Sequence, residues 1–425
     1  MKTVIVIGAG GRGTRYSDIA KKMGDEFKVV AVAEPIDCRR EYIRKLYDVP
    51  EDMCHTSWED LMSRPKFADL VIIATMDRDH LAPAMAAIDK GYNILLEKPM
   101  SATPEECCQI ERAAKEKGVF VLVCHVLRYT PFFNALKKII DSGKIGEVVH
   151  IQHAECVGNI HQSHSFVRGN WSNSKKSSCM ILQKSCHDMD ILAYLIGKKC
   201  ERVSSFGGLS YFKPENAPEG APMRCTDGCP YEDTCIYNAK YIYLVKGRDG
   251  FMTYALLKRN EHGTDEEIID LLKTSPYGRC VFHCDNDVVD HQTVNLEFEG
   301  GVTVSFTMAA FNRGGRHIRI MGTMGELSAN MDEDFITYYD FVTRKYSNIS
   351  ISDAVTVDGI DGGHGGGDQG IMRALAKKLN GEEVAICFLE ETCRNHLIAF
   401  AAEESRLTGK VINMKEYEQS LGGLL

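Results

Sequence analysis

No run of 18 apolar residues occurs in this 425-residue chain, so no membrane-spanning helix is expected. Long Lys/Arg runs are missing too, and 50 basic against 59 acidic residues leave a formal net charge of −9. A chain of that sign without a basic stripe is a poor partner for nucleic acid phosphates. Internal repeats and a low-complexity tail are also absent. The opening MKTVIVIGAGGRG has only four apolar residues, Val4–Ile7, before its glycines, too few for the apolar region of a signal peptide. A cytoplasmic protein with reduced thiols is therefore expected.

What is present is ordinary globular composition, 44% hydrophobic and 26% charged, on a chain long enough for two or three domains. The 16 cysteines read mostly as small buried hydrophobes. Through residue 125, apolar runs at Val4–Ile7, Val29–Ala33, Leu70–Ala74, Ile94–Leu96 and Val119–Val123 alternate with helical patterns. Thr103, Pro104 and Glu106 form a capping box that starts one helix, and Gly118 ends it. This alternation predicts a doubly wound parallel sheet over residues 1–125.

Beyond residue 125 the pattern changes. Val148–Val157 alternates as a strand does, Val294–Glu299 and Val302–Met308 read as a hairpin, and His317–Met321 and Glu326–Asn330 extend the sheet. Residues 126–425 are thus expected to form an α+β domain with a large open, mainly antiparallel sheet. It carries an irregular Cys-rich insertion at 213–238 and a glycine-rich loop at Gly359–Gly367.

Gly8-Ala9-Gly10-Gly11-Arg12-Gly13 fits G-x-G-x-x-G between a strand and a helix. The first glycine permits the turn, the second lets backbone approach a pyrophosphate, and the third lets helix pack on strand. Glu34 follows 21 residues after Gly13, at the end of the next strand, where a carboxylate bonds the ribose 2′-hydroxyl. This favours NAD over NADP, with Arg39 and Arg40 close by as the contrary signal.

Leu95-Leu96-Glu97-Lys98-Pro99 follows a predicted strand. With the glycine fingerprint, this triplet resembles the signature of the Gfo/Idh/MocA family. Thr75–His80, Arg128-Tyr129-Thr130-Pro131, Gly143–Glu147, Cys186–Leu192 and His396–Arg406 look similar to other family segments, so the resemblance covers nearly the whole chain. It implies a Rossmann domain followed by a substrate domain whose sheet makes contacts in a homo-oligomer, a dimer or tetramer. Carried over, Lys98 acts at a substrate hydroxyl, Pro99 is cis, and His187 is the catalytic partner. Gly8, Gly10, Gly11, Arg12, Gly13, Glu34, Thr75, Asp77, His80, Glu97, Lys98 and Trp171 belong to the cofactor site. His125, Arg128, Tyr129, His164 and Asp188 are candidates for binding substrate.

Oxidising a carbinol requires loss of its hydroxyl proton, which a base near its own pKa promotes. Histidine is such a group. One departure from the family pattern matters: Gln183 stands four residues before His187, where many members carry Asp. Asp190 is then a candidate to orient His187. Lys184, three residues before His187, becomes a further proton-transfer candidate on a shared helix face. Two enzyme readings follow. One is an NAD-dependent sugar or cyclitol dehydrogenase. The other is a redox-assisted glycosidase that oxidises C3, eliminates the C1 substituent, adds water and re-reduces without consuming NAD. A non-catalytic NAD-binding regulator is the reading from outside enzymology, and it gives no reason for Lys98 and His187.

Cys225, Cys229 and Cys235 fall within eleven residues of loop. They suggest a structural zinc site, with Cys280, His283 or Cys284 as a possible fourth ligand, and reduced thiols or a disulfide are the alternatives. His364 and Asp368 flank three glycines and suggest a lid near substrate, or simply a turn before the Gln369–Leu379 helix.

Overall fold

The computed structural model describes residues 1–248, 250–259, 261–355 and 363–422. The part of the glycine-rich loop up to residue 362 lies outside them. Six parallel strands form the first sheet in the order β3-β2-β1-β4-β5-β6. They are β1 (Lys2–Ile7), β2 (Phe27–Ala33), β3 (Cys54–His55), β4 (Leu70–Ile73), β5 (Asn93–Leu96) and β6 (Val121–Val123). The helices between them are α1 (Gly11–Lys22), α2 (Asp37–Tyr47), α3 (Trp58–Met62), α4 (Leu81–Asp89) and α5 (Pro104–Lys117). The strands are near-continuous apolar runs because both faces of the sheet are covered. The Thr103 side chain accepts the Glu106 N–H, and Gly118 closes α5 in the left-handed conformation at φ 65°.

After α6 (Pro131–Asp141), a nine-stranded sheet runs β14-β13-β12-β11-β7-β10-β9-β8-β15. Its strands are β7 (Val148–Cys156), β8 (Cys200–Gly208), β9 (His291–Phe298), β10 (Val302–Ala309), β11 (Gly315–Gly322), β12 (Gly325–Asn330), β13 (Phe335–Asp340), β14 (Lys345–Ser350) and β15 (Ile412–Asn413). Neighbours are antiparallel except β7 and β10, which pair in parallel across the long intervening connection. Strand β9 turns into β10 through Glu299–Gly301, as the sequence predicts.

Helix α7 (Cys186–Ile196) carries His187. Between β8 and β9, helices α8 (Phe251–Leu257) and α9 (Asp265–Thr274) follow the irregular stretch Lys213–Asn238, which holds the short turn Pro214–Asn216 and one bridge from Arg224 to Arg279. Among the described residues, three α-helices follow the glycine-rich loop, the last of them the short Met414–Ser420. Helix α10 (Gly367–Leu379) places Ile371, Met372, Leu375 and Ala376 in one core with Val4, Val6, Val29 and Ile72 of the first sheet. Helix α11 (Leu389–Thr408) packs against α5, α7 and β8. No helix among the described residues is long and apolar enough to cross a membrane.

Candidate active site

The site lies at the carboxyl ends of β1, β4 and β5, where an open α/β sheet presents its ligand crevice. Gly8 has φ +86°, and a Cβ there would stand 2.6 Å from the Ala74 carbonyl oxygen. A Cβ on Gly13 would come within 1.9 Å of the Gly8 oxygen, so these two positions demand glycine. No side chain caps α1, whose first N–H groups are left for an anion. Glu34 is buried, and its carboxylate accepts the Ala9 N–H at 2.7 Å and the Ile36 N–H at 2.9 Å. This places it against the glycine loop. Arg40 is turned to the Glu34 carbonyl and Asp37, while Arg39 donates to the Lys258 carbonyl beyond the end of α8. The donor pattern, the glycine clearances and the carboxylate together fit a dinucleotide.

Glu97, Lys98 and Pro99 follow β5, and the Lys98–Pro99 peptide is cis. Two histidines brace this turn. His80 bonds the Pro99 carbonyl through Nδ1 at 2.8 Å, and Nε2 of His396, from α11, accepts the Met100 N–H at 3.0 Å. Burial alone would raise the Glu97 pKa, but Arg12 and Lys98 hold it below the usual carboxylate value. Arg12 donates to Glu97 at 2.7 Å and to both carboxylate oxygens of Asp368 at 3.0 and 2.7 Å. Asp77 receives Ser178 at 3.0 Å and the Trp171 indole at 3.4 Å, and Thr75 bonds the Asp79 carbonyl.

Lys98 donates from Nζ to the Gln183 carbonyl at 2.6 Å. His187 is buried beside it, its Nδ1 without a partner; its pKa is pushed well below normal, by burial first and then by Lys98 and His125. The His125 and His364 rings lie 5.8 and 6.0 Å from the His187 ring. Burial takes His125 down to about 3, with both ring nitrogens unpartnered. His161, pushed down by burial, also feels the charges of Lys184 and Lys98. Lys98, His187, His125, His161 and His364 thus gather from five separate stretches of chain.

Several sequence expectations resolve differently. Lys184 and His187 do not share a helix face, because the turn at Lys184–Ser185 separates Met180–Gln183 from α7. Lys184 instead pairs with the buried Glu155 at 3.0 Å. Asp188 is engaged by His153 and Arg316 at 2.9 and 2.8 Å, which puts its carboxylate in that same ion network. Asp190 does not orient His187. It accepts two bonds from Arg128 and one from Asn395, and lies 3.8 Å from His125. Arg128 is consumed by Asp190 and Glu391. His164 is turned away, bonded to the Tyr243 hydroxyl and stacked 4.9 Å from Tyr277. Tyr129 has a buried, unpartnered hydroxyl. Gln183 donates its amide to Ser177 and Ser178 and not to His187.

The zinc expected at Cys225, Cys229 and Cys235 finds no support. Among the described residues no three His, Cys, Asp or Glu side chains converge to hold a metal ion. Cys225 is buried with its sulfur 3.7 Å from the Arg168 guanidinium, Cys229 and Cys235 are half-buried, and all 16 cysteines are free thiols. Sequence reasoning missed Glu155, Arg316 and His153. They sit on strands with ordinary alternation, and nothing local marks them as a charged network.

The profile of the Gfo/Idh/MocA oxidoreductase family, NAD-binding Rossmann fold, matches residues 2–125, and that of the Gfo/Idh/MocA C-terminal domain matches 133–328. The putative oxidoreductase YteT of Bacillus subtilis is 26% identical over 354 residues, covering 80% of this chain and 78% of its own. The 2,7-anhydro-N-acetylneuraminate hydratase of Mediterraneibacter gnavus is 28% identical over 210 residues, 49% of this chain and 53% of its own. A levoglucosan dehydrogenase solved with NADH and levoglucosan shares the fold, with TM-score 0.69 at 16% identity over 97% of this chain and 98% of its own. The glycine loop, the Glu97-Lys98-Pro99 turn and both profile matches lead to one conclusion: this chain belongs to the Gfo/Idh/MocA family of NAD-binding oxidoreductases.

Proposed function

We propose that the protein transfers hydride between NAD and a carbinol carbon of a sugar or cyclitol. The observation that carries this reading is Lys98, which follows β5 at the crevice with its Nζ beside His187 and, among the described residues, only the Gln183 carbonyl as hydrogen-bond partner. The N–H groups at the start of α1 hold the pyrophosphate, and Glu34 holds the adenosine ribose, which selects NAD against a 2′-phosphate. When bound, NAD supplies the hydride acceptor. Lys98 donates a hydrogen bond to the carbinol oxygen, and this stabilises the alkoxide character that develops there. His187 stands on the same oxygen, and Lys184, fixed by Glu155, anchors a neighbouring hydroxyl.

A redox-neutral reading, in which NAD is re-formed each cycle, draws on the five clustered lysine and histidine side chains, more proton-transfer groups than oxidation alone needs. The hydratase relative favours it as well. The deciding assay supplies trace NAD with free cyclitols, free hexoses and p-nitrophenyl glycosides. NADH formed in step with oxidised sugar supports the dehydrogenase. Nitrophenol released far beyond the NAD present supports the redox-neutral reaction. Lys98→Ala is expected to lower kcat at least about 100-fold while NAD still binds. Undiminished turnover rejects its assigned role.

A further inference from the structure

His187 lacks what a proton-transfer histidine ordinarily has, a carboxylate behind its ring. Gln183 replaces the acid of the family pattern, Asp188 is taken by His153 and Arg316, and Asp190 by Arg128 and Asn395. A second histidine of the same cluster does have that partner. His364 presents Nδ1 to Asp368 Oδ1 at 3.0 Å, and its ring lies 6.0 Å from that of His187. A substrate hydroxyl or one water bridges a gap of this size.

The backbone there is held in an unusual conformation. His364 sits at φ 56°, followed by Gly365 at 62° and Gly366 at 88°. A non-glycine residue in the left-handed region is strained, and such strain concentrates where a side chain is needed in one place. Asp368 is itself fixed: it is buried at the start of α10, bonded to both terminal nitrogens of Arg12 and 3.6 Å from Arg15. The dyad is thereby tied to the glycine loop of α1.

We propose that His364, with Asp368 behind it, is a catalytic acid/base residue of this site and takes up the proton of the hydroxyl whose carbon is oxidised. This rests on the hydride-transfer reading above. As the C–H hydride departs to the NAD of that reading, the O–H bond breaks. Its electron pair becomes the second C–O bond, and the proton moves to Nε2 of His364. Asp368 stabilises the imidazolium, and the reverse step returns the proton. Lys98 and His187 hold the oxygen throughout.

The groups facing His364 are Asp368 on α10, Arg12 on α1, Lys98 after β5, His187 on α7 and His161. Burial pushes its pKa down, the Asp368 hydrogen bond pulls it back, and Arg12 and Lys98 lower it again; the net shift is downward. The neutral, proton-accepting form therefore prevails at neutral pH, and activity falls on the acid side.

The test compares His364→Asn, His364→Gln and His187→Asn on whichever free cyclitol or hexose the wild type oxidises. His364→Asn is expected to lower kcat by about 100- to 10,000-fold. The acidic limb of the kcat/KM pH profile disappears with it, and NAD affinity by titration stays within about two-fold. His187→Asn lowers kcat but keeps the limb. Independently of turnover, imidazole NMR should show one titrating histidine that vanishes in His364→Asn and moves to lower pH in Asp368→Asn. Wild-type kcat or a retained acidic limb in folded His364→Asn or His364→Gln overturns the proposal. Failure of the underlying reading looks different: the wild type neither forms NADH from any free sugar or cyclitol nor turns over a glycoside with trace NAD, or Lys98→Ala keeps hydride transfer. Either result rejects both.

Discussion

Arg12 shows how a residue's place in a motif and its job diverge. The family resemblance puts it in the cofactor site, and its guanidinium bonds Glu97, Asp368 and Tyr16. The backbone N–H groups at the start of α1 carry no side-chain cap, and with the helix dipole they suit an anion. The buried histidines carry a second consequence. His125 and His164 are held down to about 3 and His396 to about 4, in each case chiefly by burial. The unfolded chain protonates these rings near pH 6.5, so between that value and the folded one it binds more protons than the native state. Stability is therefore complete above pH 6.5 and lost below it, at about 1.4 kcal/mol per pH unit for each histidine. Urea midpoints at pH 7.5 and 5.5 measure this. The lower value is expected at pH 5.5, before most carboxylates titrate, and His164→Gln should flatten the dependence. Lys98, Glu34 and the glycines were legible because their spacing from a strand end fixes their place. Asp190 was misread because i+3 spacing says which residues share a helix face, not which cation arrives from another element; Arg128 and Asn395 claim it first.

Helix α10 is the element whose position the sequence did not disclose. Its apolar stripe is plain, but the surface that stripe covers belongs to β1, β2 and β4, more than 290 residues earlier in the chain. Glycines set the approach: a Cβ at Gly367 would stand 2.2 Å from the Val126 oxygen, and one at Gly370 2.6 Å from that of Tyr129. Leu375 is fully buried in this contact. Leu375→Ala is expected to cost about 2–5 kcal/mol, from lost transfer energy and a residual cavity. Guanidinium unfolding followed by circular dichroism measures the loss, and NAD affinity should weaken in parallel because α10 carries Asp368 to Arg12. Other elements were readable locally. The Thr103 cap of α5 and the β9–β10 turn are decided within a few residues and stand where the sequence puts them, although the Glu106 carboxylate accepts from Ser101 instead of closing the capping box. The two-residue β3 and the outer strand β14 had no such signal, one being too short and the other exposed along most of its length.

At the scale of the molecule, the first sheet is not self-sufficient. Its core takes Ile371, Met372, Leu375 and Ala376 from α10, and the Lys98–Pro99–Met100 turn takes His396 from α11. Residues 1–125 expressed alone are expected to remain partly unfolded, binding a hydrophobic dye and giving broad amide spectra. A soluble, cooperatively melting fragment contradicts this. What the sequence determined by itself is the family, the parallel sheet and the dinucleotide crevice, because hydrophobic period, glycine placement and the Glu97-Lys98-Pro99 triplet act over short stretches of chain. What only the tertiary structure decided is which carboxylate serves which cation and which histidine. Asp368 goes to His364 and Arg12, Asp188 to Arg316, and Asp190 to Arg128. Buried charges must find a partner wherever the fold brings one, and that pairing is set by packing between distant elements.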